Sequence, residues 1–497
     1  MISDLFLHGK GEASGTLTAL VLVVALLLRV TIGYFPYSGE NEGPHFGDYE
    51  AQRHWMEITL NTKPSEWYTV SGDEGQRWWP LDYPPLTAYH EYLLGLISAV
   101  YEPPSIVMDV SRGYETSSHR TFMRLTVVVS DLLVYFPAVL TLVTWSKRGH
   151  ESLRPIAVAV LLLHPLLIFI DHCHFQYNTV AIGLVIAATS AILNERVYLS
   201  ASLYTLAFLY KQTMLYFAPA FFFFMLGQAL KLPLTAAMKR IALLGIVVLT
   251  TTFIVFLPLL ADCESYSCVA HRVVFILRRI FPFWRGAFED YVSNFWVAIN
   301  PIMRLRNASI EQLEIARSFS TVLTLAASLV PCWAILRNPR IERFPVVLAA
   351  VSLDFYLFSW LVHEKAVLLP LTSMLCALTI GHDSALCTIV FPFMDASLLS
   401  CFPLMLTEKS VLGVLSLAYL GSTVVRCLPA CTRGPSKVNK LHWLSYICNT
   451  GGLLGALCLV SANAPIRYPY LWQLVIAVCC CGTFIITWIR LVLHIYR

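Results

Sequence analysis

Charge is what this sequence has least of. Only 13% of its 497 residues are Asp, Glu, Lys or Arg, against about 25% in soluble domains. Set beside 57% hydrophobic residues, that shortage excludes a soluble globule and points to a chain crossing a membrane many times. A net charge of +4 is too small to argue for a nucleic-acid partner. The 14 cysteines include no C-x-x-C pair, so no zinc site is expected. Most lie in apolar runs such as Cys479-Cys480-Cys481, where cysteine acts as a small hydrophobe. There is no G-x-G-x-x-G after a strand, no Walker loop, no D-x-D triplet and no serine-nucleophile motif. A nucleotide-sugar donor held in a separate soluble domain is therefore unsupported. Internal repeats and low-complexity tracts are also missing.

What is present is a series of apolar runs, near 17–34, 123–145, 155–170, 179–193, 198–210, 212–230, 240–261, 319–336, 345–361, 366–380, 386–405, 410–426, 441–461 and 471–493. They predict an all-α polytopic membrane protein with about 12–14 spans, several shorter than the ~20 residues that cross a bilayer. The first run has a long leading segment and no small-residue cleavage site, so it reads as an uncleaved span rather than a signal peptide. The C-terminal His494-Ile495-Tyr496-Arg497 carries no lumenal retention tetrapeptide.

Basic residues orient the spans. Lys147, Arg148 and Arg154; Lys231, Lys239 and Arg240; Arg337, Arg340 and Arg343; and Arg426, Arg433, Lys437 and Lys440 fall on one side of an alternating arrangement, the cytoplasmic one. The other side holds a first long loop, 35–122, a second, 262–318, and the short turns at 171–178, Lys211-Gln212, 363–365 and 462–470. That assignment requires two spans, not one, across 198–230. Residues 86–100 suit a helix lying in the membrane interface, started by Pro84-Pro85. Asn307-Ala308-Ser309 is a glycosylation sequon, and Cys263 and Cys268 could pair if their turn is lumenal.

Ionisable side chains gather on the loop side. Asp48, at the end of a span among aromatics, is expected to be partly desolvated, which raises a carboxyl pKa and makes a better proton acceptor. The bland alternative is an exposed loop aspartate or a partner of Arg53, and Glu50 could share the site or pair with Arg53. Asp82, in Leu81-Asp82-Tyr83-Pro84-Pro85, reads as a helix cap or as a group aimed at a polar substrate. Asp171-His172-Cys173-His174-Phe175-Gln176-Tyr177-Asn178 invites a metal reading, but the two histidines fall on different helix faces without a carboxylate cluster. Hydrogen bonding to a sugar or packing fits them better. His363-Glu364-Lys365 interrupts two apolar runs, where such residues cost roughly 2.5–3.5 kcal/mol each at a helix centre. They suit an internal Glu–Lys pair or a cation for a lipid phosphate. Lys211 and Arg285 carry the same ambiguity. A transporter would place paired charges near the midplane between similar halves; here the charges sit at span ends and the halves look unlike.

Several of these stretches together resemble a known family. Residues 47–59 (Gly47-Asp48-Tyr49-Glu50-Ala51-Gln52-Arg53-His54-Trp55 onward), 81–89, Ser111-Arg112-Gly113-Tyr114-Glu115, His174-Phe175-Gln176-Tyr177-Asn178, Arg285-Gly286 with Phe288-Glu289-Asp290, and His363-Glu364-Lys365 are similar, in order, to the ER glucosyltransferases that use dolichyl-phosphate glucose. Within that family the Glu50–Trp55 run and the Leu81–Pro85 form resemble the branch adding a first α-1,3-glucose to a nine-mannose lipid-linked oligosaccharide more than the sister branch adding the second. The resemblance implies a GT-C type multi-span bundle in the ER membrane with its site at the lumenal surface. It implies Asp48 as the base of an inverting transfer. Cations at His363, Lys365, Lys211 and Arg285 would face the donor phosphate. Glu50, Arg53, Asp82, Tyr83, His174, Gln176 and Glu289 would shape the acceptor side. The implied partners are dolichyl-phosphate glucose, the dolichyl-pyrophosphate-linked oligosaccharide and ER membrane lipids, with no cofactor and no metal required.

Overall fold

The computed structural model describes residues 11–44, 46–69, 78–145, 153–281, 292–381, 383–428, 431 and 440–497, and every regular element among them is helical. In chain order they are α1 (Gly11–Ile32), α2 (Gly47–Asn61), α3 (Pro85–Tyr101), α4 (Ser117–Thr144), α5 (Arg154–Leu162), α6 (Pro165–Phe175), α7 (Asn178–Leu193), α8 (Val197–Tyr210), α9 (Gln212–Leu230) and α10 (Leu234–Leu260). There follow α11 (Tyr266–Ile280), α12 (Phe295–Met303), α13 (Ile310–Arg337), α14 (Phe344–Phe358), α15 (Glu364–Gly381), α16 (Ser384–Ser400), α17 (Phe402–Thr407), α18 (Val411–Arg426), α19 (Lys440–Ser461) and α20 (Leu471–Ile495).

Eight of these, α1, α4, α9, α10, α13, α15, α19 and α20, are long and apolar enough to cross a membrane, and the pair α5–α6, bent by 45°, makes a ninth if taken as one span. The other expected spans coincide with shorter apolar helices: α7, α8, α16 and α18, and α14 with 15 residues. Most residues of α7 and α14 are buried in protein, so neither has to match the lipid thickness. The 198–230 region is two helices, broken at Lys211, whose backbone is extended (φ −142°, ψ 123°).

Helix ends follow local chemistry. Thr116 caps α4, Ser265 caps α11 and Asn294 caps α12, each hydroxyl or amide oxygen accepting a backbone N–H three residues on. Ser309 and Gln312 form a reciprocal capping box, so α13 starts at Ile310, inside what hydropathy alone reads as the second long loop. The rest of that loop is also partly helical, and Asn307 is exposed just before the box. Cys263 and Cys268 are bonded across the turn that leads into α11, and a second bond joins Cys387 on α16 to Cys431.

The first long loop folds onto the bundle. Pro85 opens α3, as the Pro84-Pro85 pair predicts. Helices α2 and α3 cross at Gly95, where a Cβ would stand 3.0 Å from the Met56 carbonyl oxygen. Trp55, Trp67, Tyr68 and Leu81 pack with Leu209 of α8, Val255, Phe256 and Leu259 of α10, and Ile276 and Ile280 of α11. At about 25 cal/mol per Å² of apolar surface buried, aromatic residues of this size fix the loop to the bundle.

Deeper in, two π-helical turns face each other, Asp131–Tyr135 in α4 and Phe169–Phe175 in α6. The Asp131 carboxylate accepts from Arg29 Nε of α1 at 2.6 Å and lies 3.0 Å from His172 Nε2. Arg29 also donates to the Leu162 carbonyl at 2.9 Å. Removing one member of a buried ion pair costs roughly 3–5 kcal/mol, because the partner is left uncompensated. Arg29→Met should therefore lower thermal stability in detergent strongly. Arg29→Met with Asp131→Leu should recover part of the loss, and a double variant no more stable than the single one would show that the pair does not pin α1.

Candidate active site

Asp48 is the second residue of α2. The turn before it is left-handed at both Phe46 (φ 56°) and Gly47 (φ 58°). A Cβ on Gly47 would meet the Ser38 backbone at 2.7 Å, so only glycine fits there. Ser38 is tied in turn to the 171–178 turn, its N–H donating to the His174 carbonyl at 3.0 Å. The 171–178 turn carries its own unusual backbone at Phe175 (φ 87°). Phe175 lies between the rings of Tyr49 and Tyr177, with centroids at 5.1 and 5.7 Å. Arg124 of α4 donates to the His172 and Cys173 carbonyls. A bulky residue at positive φ costs about 1–3 kcal/mol and persists where its surroundings fix it. Here the kink sits between His174 and Gln176, and both side chains reach the same atom.

That atom is Asp48 Oδ2. It lies 2.8 Å from His174 Nε2, accepts from Gln176 Nε2 at 2.7 Å, and is paired with Lys365 at the start of α15. No described residue donates to Oδ1, and the side chain keeps 25% of its exposure. The carboxyl is not raised, as desolvation alone predicts. Burial does push it up, but the Lys365 charge and the His174 hydrogen bond outweigh burial and hold it well below the usual carboxylate range. The sequence shows the burial and cannot show the two cations that reverse its effect. Nor does Asp48 pair with Arg53.

Lys211, in the break between α8 and α9, joins the same cluster. Its Nζ donates to Asn178 Oδ1 at 2.6 Å, lies 3.4 Å from Gln176 Oε1, and stands 4.9 Å from the centroid of the Tyr83 ring. Tyr83 is held by Trp55, at 4.8 Å between centroids, and by its carbonyl, which accepts from the Tyr68 hydroxyl at 2.7 Å. Asp82 does not cap α3: Pro84 occupies the cap position without a side-chain bond. The Asp82 carbonyl instead accepts from Gln212 at 3.3 Å, and its side chain is half-buried beside this cluster. His363, two residues before Lys365, is exposed. Arg285 and Glu289 lie outside the described residues.

Glu50 and Arg53 take a different part from the one expected of them at the acceptor side. Arg53 is 0% exposed. Its guanidinium donates to Glu50 at 2.7 and 2.6 Å, to Glu57 at 2.7 Å, and to the Ser105 carbonyl and Ser111 hydroxyl at 2.7 Å each. Glu50 also accepts from Trp78 Nε1 at 3.1 Å. A guanidinium so engaged fastens α2 to residues 102–111 and offers nothing to a ligand. Burial would raise the Glu57 carboxyl, but His54 and Arg53 bring it down to about 2. The two histidines of the 171–178 turn diverge, His172 toward Asp131 and His174 toward Asp48.

Sequence reasoning misses Glu408. Its Oε1 contacts His174 Nδ1, on the ring face opposite Asp48, and the side chain is 5% exposed. The signal was present: Glu408-Lys409 interrupts two apolar runs on the loop side, as His363-Glu364-Lys365 does.

Residues 21–491 match the ALG6, ALG8 glycosyltransferase family. The chain is similar to a Drosophila melanogaster protein described as a probable dolichyl pyrophosphate Man9GlcNAc2 alpha-1,3-glucosyltransferase, with 36% identity over 467 residues covering 93% of this chain and 94% of that one. It is 35% identical over 485 residues to the Saccharomyces cerevisiae dolichyl pyrophosphate Man9GlcNAc2 alpha-1,3-glucosyltransferase, covering 92% and 87%. A probable enzyme of the same description from Arabidopsis thaliana is 35% identical over 490 residues, covering 95% and 88%. The crystal structure of ArnT from Cupriavidus metallidurans bound to undecaprenyl phosphate superposes with a TM-score of 0.41 at 12% identity, covering 96% of this chain and 77% of that one.

Two outcomes follow from the geometry. Gly47→Ala should leave the protein folded but displace Asp48, lowering turnover by about 10²-fold, the scale of a 1 Å misplacement; steady-state kinetics on the purified variant checks it. The depressed Glu57 carboxyl contributes stability that is complete above its unfolded value, about 4.3. That contribution is lost as pH falls toward about 2. Melting temperature should therefore drop across that window, and less so in Glu57→Gln.

Proposed function

This chain belongs to the ALG6, ALG8 glycosyltransferase family, and from that we propose that it transfers glucose from dolichyl-phosphate glucose to a mannose of dolichyl-pyrophosphate-linked Man9GlcNAc2. The new bond is an α-1,3 linkage formed with inversion, at the lumenal face of the ER membrane. The descriptions of the matched relatives support the acceptor. The arrangement of basic residues in the short loops supports the orientation, since it puts Asp48 on the side opposite them.

One observation carries the mechanism: Asp48 is held through Oδ2 by His174, Gln176 and Lys365, with no described residue bonded to Oδ1. Oδ1 takes the proton of the mannose 3-hydroxyl. The hydroxyl oxygen forms its bond to glucose C1 as the C1–O bond to phosphate breaks, and the electron pair leaves with dolichyl phosphate. A glycoside hydrolase needs a second carboxyl to protonate its leaving group. A phosphate is already a stable anion, and nearby cations stabilise its growing charge instead. Lys365 and Lys211, both in the Asp48 cluster, suit that work, and His363 and Arg285 are the further candidates. No step of this scheme requires a metal. Lys365 has two partners to serve. Without donor it neutralises Asp48; drawn toward the donor phosphate, it leaves the carboxylate more basic when the acceptor needs it. A positioned base contributes about 10²–10⁴ in rate, and two lipid-linked substrates held at one surface add a proximity term.

The decisive experiment supplies the purified protein with dolichyl-phosphate glucose and either the unglucosylated or the monoglucosylated lipid-linked oligosaccharide. Extension of the unglucosylated acceptor is expected; extension of only the other would assign the sister reaction. Asp48→Asn should remain folded and lose at least about 10²-fold in transfer, and near-normal turnover would remove Asp48 as the base. Lys365→Ala should raise the KM for donor. It also removes the charge that depresses Asp48. Without it the carboxyl moves up toward or above the ordinary value of about 3.9, so the variant should lose activity on acidification at a pH where the native enzyme keeps its rate. Identical acid limbs would contradict the Lys365 assignment.

A further inference from the structure

Glu408 is the residue that ends α17, 234 positions beyond His174 in the chain. It touches neither the open oxygen of Asp48 nor the described cations at hydrogen-bond distance. Its partner is the His174 ring, clamped end to end between two carboxylates: Nδ1 on Glu408 Oε1 and Nε2 on Asp48 Oδ2. A neutral imidazole carries one N–H and can donate at only one end. Two ionised carboxylates at its two nitrogens are both satisfied only by a ring with both protons. The charged groups around the ring are Asp48 from α2, Glu408 from the end of α17, Lys365 from α15 and Arg124 from α4, which holds the carbonyls of the two residues before His174. The other Glu408 oxygen, Oε2, is buried without a hydrogen-bond partner. A carboxylate that leaves an oxygen unpaired inside a protein is costly as a mere spacer, and a neutral residue of the same shape would tie α17 to the 171–178 turn more cheaply.

We propose that Glu408 is a positioning residue for the glucosyl transfer: its charge keeps His174 doubly protonated, so that the ring donates to Asp48 Oδ2 and leaves Oδ1 directed at the acceptor hydroxyl. The inference rests on Asp48 being the base. Without the Glu408 charge the ring holds a single proton. With that proton on Nδ1 it turns a lone pair toward Asp48 Oδ2, and the carboxylate loses one of the three donors that fix its orientation.

Glu408→Gln separates this role from a structural one, because the amide oxygen still accepts from Nδ1–H while the charge is gone. At about pH 7.5 its kcat should fall about 10–100-fold, with the KM for dolichyl-phosphate glucose within about 2-fold and the melting temperature close to native. Lowering the pH to about 5.5, below the ordinary histidine value of about 6.5, should restore much of the loss by protonating the ring, whereas the native rate should change little. Glu408→Asp keeps the charge, and its pH profile should retain the native shape even if its rate is lower. A native kcat in Glu408→Gln, a loss that is the same at both pH values, or an acid-tilted profile in Glu408→Asp would overturn the proposal. Asp48→Asn in the same assay distinguishes the failures. If it turns over normally, the base reading falls and this one with it; if it is inactive while Glu408→Gln parallels the native profile, only the Glu408 role falls.

Discussion

One oxygen atom, Asp48 Oδ2, gathers four distant parts of the chain. The turn at Phe46-Gly47 delivers it, the kinked 171–178 turn supplies two donors, and the start of α15 supplies a cation. Lys211, in the break between α8 and α9, reaches it through Gln176. Bringing like-charged lysines and a half-buried carboxylate into one patch is unfavourable unless each charge finds a partner. The arrangement meets that condition by letting the carboxylate answer the lysine and the histidine together. The same condition leaves Oδ1 without a bond from any described residue.

Two further sets of buried charges make this possible without touching the site. Arg29, Asp131 and His172 lock α1 to the π-helical turns of α4 and α6. Arg53, Glu50, Glu57 and Ser111 lock α2 to the segment after α3. Each draws on the same chemistry as the site, yet each is shut away from solvent, with Arg29 at 1% and Arg53 at 0% exposure. Asp48 and His363 keep exposure, and the Lys365 charge is shared rather than enclosed. Exposure, more than residue type, separates the Asp48 cluster from the two closed sets of charges.

The distinction explains where sequence reasoning succeeds. Asp48, Lys211, His174, Gln176 and Lys365 are each legible as polar groups at span ends on one side, and the structure brings all five together. Glu50 and Arg53 sit in the same run as Asp48 and carry the same resemblance, but helical periodicity turns Arg53 inward to Glu57, four residues on. Asp82 reads as a cap, yet the Pro84-Pro85 pair moves the helix start past it. Glu408 shows the opposite case. Its polar turn, Glu408-Lys409, is visible in the sequence, but its partner is 234 residues away.

Composition, apolar runs and the positions of basic residues determined from the sequence that this chain is helical and crosses a membrane many times, and pointed to two helices rather than one across 198–230, because the cost of charge in lipid is written directly in residue order. Only the tertiary structure decided the protonation preference of Asp48, the closure of Arg53 and the place of Glu408. A pKa and a hydrogen bond depend on distances between side chains, and those distances are set by packing among elements hundreds of residues apart.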